Sequence, residues 1–316
     1  MRREEVLDMF PEYMRGNWET VAEHAGNLQE IRLRVGRPAA VLIGQREWFV
    51  DAAGKLVDMP PKSAACKQEE LEALIKHLCS YSVYAFADEI RQGFLTIRGG
   101  HRVGLAGQVI LEDNNSIRNL KYIRYLNIRI AHELIGVSDM LLPSLYDSGG
   151  TFYNTLLIAP PGCGKTTMLR DLVRNVSNGN TYGKGMNVSV VDERSEIAGS
   201  YLGVAQNDVG IRTDVLDGCP KREGMMMLIR SMAPQVLAVD ELGGESDIQA
   251  LQMASGCGCK LLATVHGRSL SEIRHKKYMR NVILDRLFDR YLVLTRKNGC
   301  CEVEGIYDED GLRCLK

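Results

Sequence analysis

One nine-residue segment constrains the fold of this chain more than any other feature. It separates an apolar run at 155–159 from a segment whose apolar residues recur with helical spacing. The segment reads Ala159-Pro160-Pro161-Gly162-Cys163-Gly164-Lys165-Thr166-Thr167. Small residues let successive backbone N–H groups face a phosphate, and a helix that begins directly afterwards adds partial positive charge at its N-terminus. The segment therefore predicts a strand, a phosphate-binding loop and a helix, in that order.

The side chains that follow the loop glycines indicate which ligand the loop takes. In loops of this kind a lysine reaches the β- and γ-phosphate oxygens, and the next hydroxyl holds Mg²⁺. Lys165 and Thr166 occupy these two positions. The strict pattern has glycine where this chain has Ala159, and the alternative interpretation is a glycine-rich turn with an incidental lysine. We predict that residues 159–167 bind ATP together with Mg²⁺.

A second apolar run, Val236–Val239, ends in Asp240-Glu241, about 75 residues after Lys165. A strand that ends in an acid at this distance is typical of a Walker B motif. Asp240 is predicted to hold Mg²⁺ together with Thr166, and Glu241 to polarise the attacking water. A buried strand followed by two surface acids is the alternative.

Two further apolar runs end in polar side chains. Residues 187–191 precede Asp192-Glu193, while residues 260–265 include Thr264 and precede His266. Because ligands of open parallel sheets bind outside the carboxyl ends of the strands, we expect these side chains near the γ-phosphate. Glu193 is thus a second candidate for orienting water, and His266 is a candidate sensor of the γ-phosphate through a hydrogen bond. An ordinary loop histidine is the alternative for His266.

The 316 residues are enough for about two domains. Turn-forming residues at 143–150 place the expected boundary between residues 148 and 149. After it, strands and helices alternate, which predicts an α/β domain with a mostly parallel sheet. The expected helices lie near 165–177, 221–233, 246–255 and 269–280, and the region 199–218 is expected to be a loop. Before the boundary we predict an α+β domain with strands at 31–35, 39–43, 94–97, 103–110 and 127–130 and a helix at 68–80.

The C-terminal tail has the pattern of antiparallel hairpins. Apolar alternation at 291–296 and 301–306 flanks Asn298-Gly299, a pair that favours a type I′ turn. Asp310-Gly311 is a second candidate turn.

Charge and cysteine content exclude some classes of protein. The formal net charge is −1, with −2 in residues 1–150 and +1 in the remainder, so nucleic acid is an unlikely partner. No apolar stretch approaches the ~20 residues that span a bilayer, and acids stand where a signal peptide has its apolar segment. The nine cysteines follow no disulfide or zinc spacing. We therefore expect an intracellular protein with reduced thiols.

Several arginines leave two interpretations open. Arg212 lies in the glycine-rich region, where it is a candidate for contact with phosphate or a neighbouring subunit, or for pairing with Asp208 or Asp214. In the first domain, Arg32 and Arg34 share one side of a strand. Together with other arginines they are either a cationic face or a solvated strand surface.

Six segments together resemble the family of stage III sporulation protein AA. That family belongs to the secretion-type AAA/RecA-like ATPases, which are related to type II and type IV secretion motors. The segments are 30–38, 159–167, 191–199, 206–216, 225–240 and 262–267. The resemblance implies a RecA-like P-loop NTPase core at 149–316 and an N-terminal α+β domain at 1–148. It also implies that 192–196 is an acidic box and that His266 lies in a histidine box.

The resemblance further implies an activity and a setting. It implies a Mg²⁺-dependent ATPase, assembled as a ring that is expected to be a hexamer. The ATPase would energise a membrane-bound channel or secretion assembly between mother cell and forespore, with integral membrane components of a sporulation channel as partners. It would lie in the cytoplasm, peripheral at the inner face of the mother-cell membrane. Secretion relatives favour a glutamate of the acidic box as the base, whereas the strand argument favours Glu241, so Glu193 and Glu241 both stay open.

Two other functions are compatible with these residues. In a nucleotide-gated assembly scaffold, ATP binding sets assembly and hydrolysis is incidental. A nucleic-acid-dependent P-loop ATPase is disfavoured by the near-neutral charge of both halves.

Overall fold

The chain divides between His132 and Glu133 into two units, Met1–His132 and Glu133–Lys316. The computed structural model describes residues 1–112, 117–297 and 300–315. The division falls earlier than the boundary predicted after residue 148. The difference arises because a 3₁₀ segment at Asp139–Ser144 packs its leucines into the core of the second unit. The turn-forming residues that suggested the boundary make a turn within that unit instead, where the Asp147 N–H donates to the Thr151 carbonyl.

The first unit is an α+β structure built on an antiparallel sheet. Its helices are α1 (Arg3–Asp8), α2 (Glu19–Ala22), α3 (Gln68–Leu78) and α4 (Ala87–Gln92). Its strands are β1 (Leu28–Arg34), β2 (Ala40–Ile43), β3 (Arg46–Val50), β4 (Leu56–Val57), β5 (Phe94–Ile97), β6 (His101–Leu111) and β7 (Ile117–Arg129). Across the described residues the strand order is β4-β3-β2-β1-β7-β6-β5.

Alternation along β1 shows how this sheet acquires a buried face. Ile31 and Leu33 are buried, whereas Arg32 and Arg34 between them are half-buried on the opposite face. The sequence predicts only the last part of β7, because the residues before Leu126 are mostly exposed and carry no alternating apolar pattern. Arg32 pairs with Glu30 on its own strand, at 2.6 Å between Nη2 and Oε2.

The second unit is an α/β structure built on a mostly parallel sheet. Its helices are α5 (Lys165–Asn178), α6 (Lys221–Met232), α7 (Glu245–Gly256), α8 (Leu270–His275) and α9 (Arg280–Leu284). Its strands are β8 (Thr155–Ala159), β9 (Val188–Asp192), β10 (Thr213–Asp217), β11 (Val236–Val239), β12 (Lys260–His266), β13 (Arg290–Lys297), β14 (Cys300–Asp308) and β15 (Arg313–Leu315). Among the described residues the order is β10-β9-β11-β12-β8-β13-β14-β15.

Strand order in the second sheet places β12 between the strand that leads into the phosphate loop and the strand that ends in Asp-Glu. β12 pairs in parallel with β8 on one side and with β11 on the other. All residues of β8, β9 and β11 are buried, because apolar clusters cover both faces of the sheet. Polar side chains of these strands are therefore available chiefly at their carboxyl ends.

Four sequence predictions in this unit have different outcomes. The region 199–218 is not entirely loop, since β10 pairs in parallel with β9; its residues are only half-buried and carry a weak apolar signal. The single helix predicted at 269–280 is divided into α8, a 3₁₀ turn and α9. The antiparallel pairs β13–β14 and β14–β15 confirm the predicted hairpins. The predicted type I′ turn at Asn298-Gly299 lies outside the described residues.

Within the part of the chain that the structure describes, no helix combines the length and apolar character that crossing a membrane requires.

Candidate nucleotide site

The predicted phosphate loop follows β8 directly and leads into the first turn of α5. Gly162 and Gly164 have φ angles of +71° and +70°, in the left-handed region that favours glycine. Ala159, which stands where the strict pattern has glycine, is the last residue of β8 and is fully buried in the core. It pairs with His266 of β12, so its methyl group has a place in the packed sheet rather than in the loop.

Cys163 has its side chain buried within the loop, with 1% of its surface exposed. The Cys301 thiol of β14 donates to the Cys163 carbonyl, so the C-terminal hairpin lies against the loop. Burial raises the pKa of Cys301 to about 11. Since thiol reagents attack thiolates, Cys301 is a poor target near neutral pH, whereas Cys163 is shielded from reagents by its burial.

Three residues from two elements converge beyond the loop. The Thr166 hydroxyl of α5 donates to Asp240 Oδ2 at 2.7 Å, and Lys165 Nζ lies 4.0 Å from Asp240 Oδ1. Only 8% of the Lys165 side chain is exposed, and 17% of Asp240. The structure thus brings together the lysine, hydroxyl and carboxylate that the sequence assigned to phosphate and Mg²⁺.

Glu241 follows Asp240 and is held between two basic side chains. Its Oε1 lies 3.1 Å from His266 Nε2, and its Oε2 lies 3.4 Å from Arg194 Nη1. Both Glu241 and His266 keep 36% of their side-chain surface exposed, so they face the open edge of the sheet. The backbone of Glu241 is left-handed, with φ of +52°.

The carboxylates at the end of β9 have different surroundings. Asp192 is 2% exposed and accepts the backbone N–H groups of Glu196, Ile197 and Ala198 at 2.8–3.0 Å. Burial raises the pKa of Asp192 to about 6, against the lowering effect of those three donors. Glu193 forms an ion pair with Lys221, at the start of α6.

The sequence that forms this site is similar to those of known proteins. The sequence model of the family described as "Sporulation stage III, protein AA" matches residues 1–314. The chain belongs to the stage III sporulation protein AA family. It is similar to Stage III sporulation protein AA of Bacillus subtilis, with 40% identity over 308 residues, covering 97% of this chain and 95% of that protein. The predicted resemblance is therefore confirmed.

The fold of this family member is similar to those of solved ATPase structures. The ATPase DotB of Legionella pneumophila superposes with a TM-score of 0.57 at 14% identity, covering 95% of this chain and 82% of the DotB chain. The pilus retraction motor PilT, solved with bound ADP, gives 0.57 at 14% identity, covering 91% of this chain and 81% of PilT. At such identities the likeness concerns the fold, and it confirms the predicted RecA-like core with an N-terminal α+β domain.

Two arginines of this family member contribute contacts that the sequence did not single out. Arg170, on α5, donates to the carbonyls of Ile197 and Glu196 at 2.5 and 2.7 Å, which fastens the loop after β9 to the helix of the phosphate loop. Burial lowers the pKa of Arg170. Arg194, from the same loop after β9, reaches the Glu241 carboxylate. The only available signal was their proximity in sequence to Lys165 and Glu193.

Within its own chain, Arg212 bonds to the C-terminal end of α5 rather than to Asp208 or Asp214, and its contact with a neighbouring subunit stays a prediction. Its guanidinium donates to the Ser177 and Asn178 carbonyls at 3.0 and 3.5 Å, at the C-terminal end of α5. Since α5 has 14 residues, this end is about 20 Å from the phosphate loop of the same chain. Arg212 stabilises exposed helix carbonyls, as cationic side chains do at this end of a helix.

Proposed function

We propose that this chain is a Mg²⁺-dependent ATPase. The observation that carries the proposal is the 2.7 Å hydrogen bond between Thr166 and Asp240, with Lys165 beside the same carboxylate. A buried lysine, a hydroxyl and an acid at the mouth of a glycine turn are the groups that a nucleoside triphosphate with its metal requires.

The oxygen donors fit Mg²⁺. Thr166 Oγ1 and Asp240 Oδ2 are adjacent hard ligands, and Mg²⁺ usually takes one or two protein oxygens, with phosphate and water completing its octahedron. Among the residues that the structure describes, no three His, Cys, Asp and Glu side chains form a metal site by themselves. When bound, Mg²⁺ would neutralise charge on the phosphate oxygens.

Each remaining side chain has a distinct part in the proposal. Lys165 stabilises the negative charge of the transferred phosphoryl group, together with the loop N–H groups. Glu241 orients the attacking water and accepts its proton, and His266 fixes that carboxylate from β12. We assign the water to Glu241 rather than Glu193, because Glu241 directly follows Asp240, which bonds to Thr166 beside Lys165. Glu193 instead pairs with Lys221 at the start of α6.

We further propose that hydrolysis energises a membrane-bound assembly during sporulation. Membership of the stage III sporulation protein AA family supports the setting, and the fold shared with the DotB ATPase and the PilT motor supports mechanical work. In this proposal the chain forms a homo-oligomeric ring, which we take to be a hexamer. It works at the cytoplasmic face of the mother-cell membrane with integral membrane partners of a channel to the forespore.

The experiment measures ATP turnover and molar mass together, with and without Mg²⁺. Lys165→Ala should lower turnover about 10²-fold or more, since it removes a charge that stabilises the transition state. Lys184→Ala, which alters an exposed lysine away from the loop, is the matched control and should stay at the wild-type rate. Turnover that is absent in the assembled wild type, or unchanged in Lys165→Ala, would contradict the ATPase. Assembly that needs ATP but tolerates Glu241→Gln without turnover would instead indicate a scaffold.

A further inference from the structure

Thr264, in the middle of β12, contacts three consecutive residues at the end of the neighbouring strand. It is fully buried. Its hydroxyl donates to Asp240 Oδ1 and accepts the Glu241 backbone N–H at 2.8 Å. Its carbonyl accepts the Leu242 N–H, also at 2.8 Å. Thr264 thus bonds to the backbone N–H groups of Glu241 and Leu242 and to the side chain of Asp240.

These contacts coincide with an uncommon backbone conformation. Glu241 has φ of +52°, a region that residues with a Cβ rarely adopt. Such a conformation persists where the surrounding structure enforces it, and it is found preferentially at functional sites. Here the Glu241 and Leu242 N–H groups donate to the hydroxyl and carbonyl oxygens of Thr264, and these hydrogen bonds hold the backbone on both sides of Glu241.

The same strand also fixes the side chain of Glu241. Thr264 and His266 are two residues apart in β12, so they lie on one face of the sheet. His266 reaches the Glu241 carboxylate at 3.1 Å, while Thr264 holds its backbone. A valine at position 264 would have the same shape, but it could bond to neither the Asp240 carboxylate nor the Glu241 N–H. The hydroxyl therefore contributes hydrogen bonds in addition to packing.

We propose that Thr264 is a positioning residue that fixes the orientation of Glu241 relative to the Asp240 carboxylate. Its single hydroxyl joins the carboxylate on the metal side of the site to the backbone of the residue that orients water. The inference rests on the proposed ATPase function and adds to it a role for β12, which pairs with both β8 and β11.

The test compares the full-length wild type with Thr264→Val and Thr264→Ser. Thr264→Val keeps the shape and removes the hydroxyl, so kcat should fall by about 10- to 100-fold, because small misplacements of a reacting group have effects of that size. KM for ATP and the Kd for Mg-ADP should stay within about threefold, since the phosphate loop is untouched and Thr166 still bonds to Asp240 Oδ2. Thr264→Ser restores the hydroxyl and should recover kcat to within about threefold of wild type. A merely structural threonine would not separate kcat from KM in this way.

A double substitution tests whether Thr264 acts through Glu241. In a Glu241→Gln background, Thr264→Val should cause little further loss of kcat, because both changes disable one unit. Additive losses, a full kcat in Thr264→Val, or a parallel loss of Mg-ADP affinity would each overturn the inference.

Circular dichroism and thermal melting establish folding, and Thr264→Ala replaces the valine variant if that variant does not fold. A wild type without turnover defeats the proposed function itself, whereas an active wild type with an equally active Thr264→Val defeats only the role of Thr264.

Discussion

Two copies of the same dipeptide end neighbouring strands of the second unit, yet their surroundings differ. Asp192-Glu193 ends β9 and Asp240-Glu241 comes directly after β11, and the two parallel strands are in register at Val191 and Val239. The two pairs therefore stand at equivalent positions along the sheet edge. Identical residues at equivalent positions make a controlled comparison within one chain.

The difference comes from the segment after each strand and from the elements beside it. After β9 the chain turns back, and three of its N–H groups donate to the Asp192 carboxylate. Asp192 therefore stabilises the loop that follows its own strand. After β11 the adjoining strand β12 presents Thr264, and α5 presents Thr166, so Asp240 accepts two hydroxyls beside Lys165. The dipeptide alone does not determine the surroundings of its aspartate, because these depend on which neighbouring groups donate hydrogen bonds to it.

The largest expected contrast is between the two aspartates. Asp240→Asn removes the charge that faces Lys165 and Thr166, and ATP turnover should fall about 10³-fold, corresponding to several kcal/mol of charge stabilisation. Asp192→Asn should keep turnover per folded molecule within about threefold. Steady-state hydrolysis, normalised to folded protein by circular dichroism, measures both. Equal losses in the two variants would show that the ends of β9 and β11 serve the site alike.

The next contrast concerns the two glutamates. Glu241→Gln should lower kcat by about 10²-fold or more, the usual contribution of a positioned general base. Glu193→Gln should leave kcat within about threefold, because Glu193 pairs with Lys221 and does not adjoin the aspartate that bonds to Thr166. Single-turnover hydrolysis at saturating Mg-ATP measures the chemical step directly. If Glu193→Gln is instead the more damaging change, the acidic box supplies the base.

The smallest expected effect concerns stability against pH. Burial raises the pKa of Asp192 to about 6, above its ordinary value near 4, so the folded protein binds a proton that the unfolded chain releases between these pH values. The free energy of unfolding should therefore fall as the pH rises from about 4 to about 6, by roughly 1–3 kcal/mol from this group.

Asp192→Asn should flatten that slope, as urea unfolding at a series of pH values would measure. A residual slope of the same sign is expected from Asp217, whose pKa burial also raises. Glu304→Gln, a change at an exposed carboxylate of β14, is the control and should leave the slope as in wild type. If the Asp192→Asn variant keeps the full wild-type slope, Asp192 is not the source of the pH dependence of stability.

Local motifs were predictable where a binding loop or a buried strand requires particular residue types in consecutive positions. The phosphate loop is one continuous segment, and β8, β11 and most of β12 carry unbroken apolar runs because both faces of the sheet are covered. The convergence of their ends follows from parallel pairing, as the partners Ala159 and His266 show. The outer part of β7 and the whole of β10 were missed because their side chains are not buried.

The arrangement within the site was less predictable, because it depends on pairings distant in sequence. No local pattern indicates that Thr264 bonds to residues 240 and 241, since this requires β12 to insert beside β11. The choice between Glu193 and Glu241 likewise depends on Thr166, whose bond to Asp240 places residues 240 and 241 beside the phosphate loop. The roles of these glutamates stay predictions until turnover is measured.

The position of β8 within its sheet has a consequence for the order of folding. Its hydrogen-bonded neighbours are β12 and β13, so Thr155 pairs with Leu262 and Arg290, roughly 100 residues or more further along the chain. Closing loops of that length is entropically costly and slow. During synthesis, the phosphate loop therefore emerges from the ribosome long before the strands that flank it. The early steps of folding therefore precede a complete ATP site, and the apolar segment of β8 stays without its partner strands during that time.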